Sequence, residues 1–164
     1  MLPLIDLTDG DNHFCVRVRG RSMPGVLEHH DRLAAELLLT SSFVTGRLPM
    51  TLSPADLRAW SRCLDLLATG RDAVWRDDER SPAITVLPHY EEYASPAVRV
   101  EDPGRSDVLV VMPLGLEDGW VEGQRGLLER VLERWPSEVR ETGPGVYEWR
   151  RRALDAGRDH TPRG

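Results

Sequence analysis

The stretch Ser53-Pro54-Ala55-Asp56 constrains this chain more than any other. A serine at the N-cap, a proline at the first helical position and an acid in the first turn together mark a helix start. Leu57, Trp60, Leu64 and Leu67 then recur at helical spacing, with Arg58, Arg62 and Asp65 on the other side. Gly70 stands where a C-terminal stop belongs. The pattern predicts an amphipathic helix over residues 54–69. Such a helix must bury its stripe against another layer, and the segments flanking it read as strands.

Upstream, Phe14, Val16 and Val18 alternate with Cys15, Arg17 and Arg19, the period-2 mark of a half-buried strand ended by Gly20. Residues 32–52 read as a hairpin. Leu33, Ala35, Leu37 and Leu39 share one face of its first arm, and Val44, Gly46, Leu48, Met50 and Leu52 one face of its second. Ser41-Ser42 forms the link, and Pro49 points to an edge. Downstream, short strands are predicted at 73–75, 83–87, 97–101 and 107–114, separated by turn residues such as Ser95-Pro96 and Pro103-Gly104. The apolar run Val108–Met112 suits a central strand covered on both faces. A second helix, 117–135, carries the stripe Trp120, Gln124, Leu127, Val131 and Trp135, and Pro136 stops it. After Thr142-Gly-Pro-Gly145 a short helix is expected over Tyr147–Ala156, followed by a frayed end. The fold class is therefore α+β: a mainly antiparallel sheet of about seven strands, two amphipathic helices and a short C-terminal helix. Residues 1–136 form the single domain, and 137–164 a C-terminal extension.

Composition narrows the function classes. The 164 residues carry a formal net charge of −6, which argues against a nucleic-acid surface. All 21 basic residues are arginine, as coding in a GC-rich genome would give, and they are spread along the whole chain. Two cysteines, Cys15 and Cys63, do not make a disulfide framework. The N-terminus lacks a basic, apolar leader and no run reaches ~18 apolar residues, so a cytoplasmic protein without membrane partners is expected.

No phosphate loop, dinucleotide fingerprint, nucleophile elbow, HExxH or CxxC occurs. His29-His30-Asp31 is the one cluster with metal-ligand chemistry. Adjacent histidines in extended chain point to opposite sides, so a polar loop before a strand is the plainer account. His89-Tyr-Glu-Glu-Tyr93 offers a histidine and two acids, but general acid–base work needs a second titratable group beside them. Trp60, Trp120 and Trp135 fall on helical stripes and are expected in the core, while the pattern leaves the facing of Trp75 open. Trp149, followed by Arg150, Arg151 and Arg152, has the composition of an interface hot spot. No cofactor and no catalytic residue is expected.

Two segments carry a resemblance. Ser42-Phe-Val-Thr-Gly-Arg-Leu48 joined to Leu52–Trp60 and Leu64–Leu67, with Leu114-Gly-Leu-Glu-Asp-Gly-Trp120 leading into Gln124–Leu128, resembles a family of uncharacterised actinobacterial (Streptomyces-type) domains over roughly residues 4–136. The order of hairpin, capped helix and four strands is more distantly similar to WapI-type immunity proteins. The matching residues are structural, so neither resemblance carries a functional residue. What they imply is a non-enzymatic protein-binding domain, of immunity or antitoxin type, whose acidic charge would steer it toward a basic toxin. The rivals are a small ligand-binding or metal-dependent enzyme with a pocket of His29, His30, Glu91 and Tyr93, and a self-associating accessory protein, monomer or weak dimer, using Trp149.

Overall fold

The structure, a computed structural model, describes residues 1–77, 82–90, 95–103 and 105–150. Helix α1 (Pro54–Ala68) begins as its sequence predicts. The Ser53 hydroxyl accepts from the Asp56 amide at 3.2 Å, and the Asp56 carboxylate accepts from the Ser53 amide at 2.7 Å. This reciprocal box satisfies backbone donors that a helix start otherwise leaves orphaned. Leu57, Trp60, Cys63, Leu64 and Leu67 form its buried face.

Ten strands form three antiparallel sheets among the described residues. In the first, β1 (Leu2–Thr8), β2 (His13–Arg21), β3 (Leu33–Thr40) and β4 (Thr45–Leu52) lie in chain order. The second has β5 (Ala73–Trp75), β6 (Ala83–Tyr90), β7 (Ser95–Glu101) and β8 (Leu109–Pro113), again in chain order. The third is the hairpin β9 (Val139–Gly143) and β10 (Val146–Trp149), which follows helix α2 (Trp120–Arg134). The α+β class and the antiparallel pairing stand. The single sheet of about seven strands is corrected to sheets of four, four and two, because α1 interrupts the meander and each half pairs with its own neighbours.

Register explains the core. Leu37 pairs with Val16 on one side and Leu48 on the other, and Leu39 with Phe14 and Gly46. In the second sheet Ile84 opposes Val100, and Val98 opposes Val86 and Met112. These inward residues join the buried faces of both helices in one continuous cluster. Trp60 and Trp75 are fully buried with ring centroids 5.5 Å apart, and the Trp75 indole donates to the Asp56 carbonyl at 2.9 Å. Trp120 and Trp135 are only half-buried, packed against the cluster's margin.

Four further elements differ from what the sequence predicts. β1 falls in a segment for which no element was predicted: a bulge between Pro3 and Ile5 breaks its alternation, so Leu4 and Ile5 are both buried. β8 is an edge strand, with Val108 and Leu109 about half exposed (54% and 50%), so the apolar run is covered on one face and not on both. The helix expected from Tyr147 is instead strand β10 as far as Trp149. Gly145, at φ +72°, turns the chain back on itself, and the β-branched and aromatic residues around it favour the pleated form. Residues 151–156 of that expected helix lie outside the described residues. Helix α2 also starts later than its acids imply, at Trp120, behind a left-handed Gly119 (φ +80°).

Gln124 fixes α2 to the sheet. Its side-chain carbonyl accepts from the Asp6 amide and its NH2 donates to the Asp6 carbonyl, both at 2.9 Å. One glutamine amide thus pairs with the open edge of β1 as a neighbouring strand would, and it is 5% exposed. Gln124→Leu keeps the volume and orphans that peptide unit. We expect a loss of about 2 kcal/mol, the cost of an unsatisfied buried amide and carbonyl, read as a lowered urea midpoint at unchanged slope.

Candidate functional site

The loop between β2 and β3 is held by its own backbone. The Ser22 amide donates to the Arg32 carbonyl at 2.8 Å, and the Leu27–His29 3-10 turn is closed by His29 donating to Val26 at 2.8 Å. This places His30 and Asp31 beneath the C-terminal hairpin. His30 is 8% exposed. Its Nδ1 accepts from the Gly25 amide at 2.8 Å, so the ring proton sits on Nε2, which donates to the Glu138 carboxylate at 2.8 Å. Its ring meets Trp149 edge-on, centroids 4.7 Å apart.

Asp31 clasps the start of β9. Its carboxylate accepts from the Ser137 hydroxyl at 2.7 Å, from the Glu138 amide at 3.0 Å and from the Val139 amide at 3.0 Å. The fourth donor is Arg21 Nη1 at 2.8 Å, whose other nitrogen donates to the Pro136 carbonyl at 2.7 Å. Burial pushes the Asp31 carboxyl up, but these bonds together outweigh it and hold the group below its ordinary value.

Above the clasp lies a cleft of about 460 Å³ between the 3-10 turn, the first turn of α1 and the hairpin. Arg32, Arg58, Arg140, Arg150 and Tyr147 line it. Arg140 is paired with Glu148, and Arg150 Nε donates to the Val139 carbonyl at 3.2 Å. Arg32 and Arg58 have no ion pair among the described residues. A smaller hollow of about 220 Å³ continues on the far side of Arg58, where Leu57, Leu132 and Trp135 give it an apolar wall.

The two residue groups singled out from the sequence therefore converge. His30 and Asp31 anchor the strand pair that presents Trp149 and Arg150. Both ring nitrogens of His30 and both oxygens of Asp31 are engaged by protein donors and acceptors, and His29 lies with Nε2 4.0 Å from Glu28. His30 and Asp31 form a structural clasp, and His29 stands outside it. Trp149 is 47% exposed. Arg151, Arg152, Glu91 and Tyr93 lie outside the described residues, so no pocket joining Glu91 and Tyr93 to the histidines is drawn. Sequence reasoning missed Arg21, Ser137 and Glu138, whose only signal is polarity. Nothing local couples positions more than a hundred residues apart.

The architecture is that of a mixed antiparallel α+β domain with a cleft lined by arginines and Tyr147. The chain belongs to the family of unknown function DUF5959, whose model matches residues 2–136. No match emerged among curated proteins or solved structures. The hairpin lies beyond the matched residues, but Arg21, His30 and Asp31, which hold it, lie within them. No helix among the described residues is long and apolar enough to cross a membrane.

Because the folded-state value of Asp31 is depressed, its stabilisation is fully present above the unfolded-state value near 3.8 and is lost as pH falls through the folded one. Exchange protection of the Val139 amide should thus hold at neutral pH and fall below pH ~4. Asp31→Ala should remove that acid limb and cost about 2 kcal/mol at neutral pH, since the Ser137, Glu138 and Val139 donors lose their acceptor and Arg21 keeps only the more distant Glu138 carboxylate, 3.7 Å away. Urea midpoints of both proteins across the acid range give the comparison.

Proposed function

We propose that this protein is a partner-binding domain that acts by occupancy, with the clasped hairpin and its cleft as the contact surface. The observation that carries the reading is Arg32 and Arg58, two exposed guanidinium groups on the wall of an open cleft that form no ion pair among the described residues, although Glu28 and Glu141 share that wall, beside a half-exposed Trp149. Tryptophan, tyrosine and arginine are the side chains that dominate binding energy at protein interfaces. The clasp holds them in place beforehand, so less ordering entropy is lost on association. An apolar hollow next to the arginines supplies the dry centre such interfaces have, and the arginines the polar margin. The partner segment that fits presents carboxylates to Arg32 and Arg58 and an apolar side chain to Leu132 and Trp135.

The resemblance to WapI-type immunity proteins of the bacterial cytoplasm gives the reading its particular form. In it, an actinobacterial chain of this family covers the working surface of a toxin encoded by a neighbouring gene. The test is calorimetry between the untagged chain and its neighbouring gene products. One should bind in a 1:1 complex. Arg58→Glu, on the exposed side of α1, should weaken that complex at least tenfold without lowering the melting temperature, and Trp149→Ala should do at least as much (about 1.4 kcal/mol or more). A partner that binds both variants as it binds the native chain overturns the reading. So does a dimer in sedimentation that Arg58→Glu dissolves, which assigns the face to self-association.

A further inference from the structure

From the opposite side of the first sheet we infer a metal site: Asp6, His13 and Cys15 are placed to hold one divalent cation of the zinc class, with a fourth position open to water. The inference is independent of the partner-binding reading. Asp6 and Cys15 are direct cross-strand partners of β1 and β2, and His13 precedes Cys15 by two residues on the same strand. Strand periodicity therefore sends all three side chains to one face. One ligand atom from each lies within 4.8 Å of the others. Tetrahedral zinc, at bond lengths of about 2.0–2.3 Å, sets its ligand atoms roughly 3.3–3.8 Å apart, so modest side-chain rotation closes the set.

The face is the one that leaves the core. Phe14 and Val16 point inward, while Cys15 sits between them on the outer side, where it pairs laterally with Leu38 of β3. Its sulfur is covered, but His13 and Asp6 are 34% and 43% exposed, which leaves an entry path for an ion. His13 Nε2 and Asp6 Oδ1 are hydrogen-bonded to each other at 2.6 Å beside the thiol, so a cation would take the place of the proton they share and move them slightly apart. The donor set selects the metal. A thiolate and an imidazole favour zinc over magnesium or calcium, which take oxygen, and three protein ligands leave one coordination position for water or a small anion. Gln124 adds the outer support expected at a metal site, since it fixes the backbone of Asp6 from both its amide and its carbonyl.

The experiment uses untagged full-length protein stripped with a chelator and titrated with zinc chloride by calorimetry and with cobalt(II) by absorption. The expected result is one equivalent bound, with a thiolate-to-cobalt charge-transfer band and tetrahedral d–d bands. Cys15→Ser should abolish the charge-transfer band. His13→Ala should weaken zinc by more than about 100-fold, since loss of a direct ligand exceeds the cost of losing an outer-shell partner. Asp6→Asn, at an exposed position, should weaken it less and guards against a folding defect in the other two. His30→Ala, in the hairpin clasp, should leave the affinity unchanged. No saturable binding, or binding that persists in Cys15→Ser and His13→Ala, or binding that His30→Ala removes, overturns the assignment.

Discussion

The β1–β2 turn is where the two large sheets and the second helix are tied together. The Asp9 carboxylate in that turn accepts from the Gly115 amide at 2.9 Å, just beyond β8, and the Asn12 side chain donates to the Pro113 carbonyl at 3.0 Å. The bond to Gly115, helped by the amides of Asn12 and Asp11, holds the Asp9 carboxyl below its ordinary value. A few residues back, Gln124 clamps the Asp6 peptide. All of these bonds join the first dozen residues to the segment that follows the second sheet. They set where β8 ends and how α2 lies, and hence where the chain emerges to form the hairpin.

The elements legible in the sequence were those whose pattern is complete within a short window. Ser53–Asp56 and the stripe from Leu57 to Leu67 declared α1 because capping and periodicity act over four to eleven residues. The β3–β4 pairing was equally plain, since Leu33, Ala35, Leu37 and Leu39 alternate without interruption. β1 was illegible because its bulge places Leu4 and Ile5 side by side in the core. The hairpin was mistaken for a helix because Tyr147, Glu148 and Trp149 suit either period over so few residues. What decides it is Asp31, a distant carboxylate that satisfies the first amides of β9 and leaves its chain extended.

The same distance hides the candidate sites. His30 and Asp31 drew notice as possible ligands, and Trp149 and Arg150 as contact residues, but no local rule joins the pairs. The polar-loop expectation gains a role: His30 and Asp31, with their polar side-chain atoms engaged by protein partners, hold the hairpin. The metal-ligand trio shows the complementary failure. His13-x-Cys15 is visible in the sequence, but it gains its third member only once β1 is recognised and its register pairs Asp6 with Cys15.

Charge finally separates what the fold does from what its surface can choose. A chain with a formal net charge of −6 repels acidic partners at long range, and salt screens that repulsion beyond about 10 Å. At the cleft the balance shifts, because Arg32, Arg58, Arg140 and Arg150 outnumber Glu28, Asp31 and Glu141 on its wall. On the proposed reading an acidic segment is discouraged except where it meets Arg32 and Arg58. Such an arrangement favours selectivity over speed of encounter. The clasp on the hairpin fixes what the hairpin itself carries to the cleft, Tyr147 and Arg150, with Trp149 packed on His30. The Asp31–Arg21 pair supplies that rigidity from residues that lie within the family match, beneath a hairpin that lies beyond it.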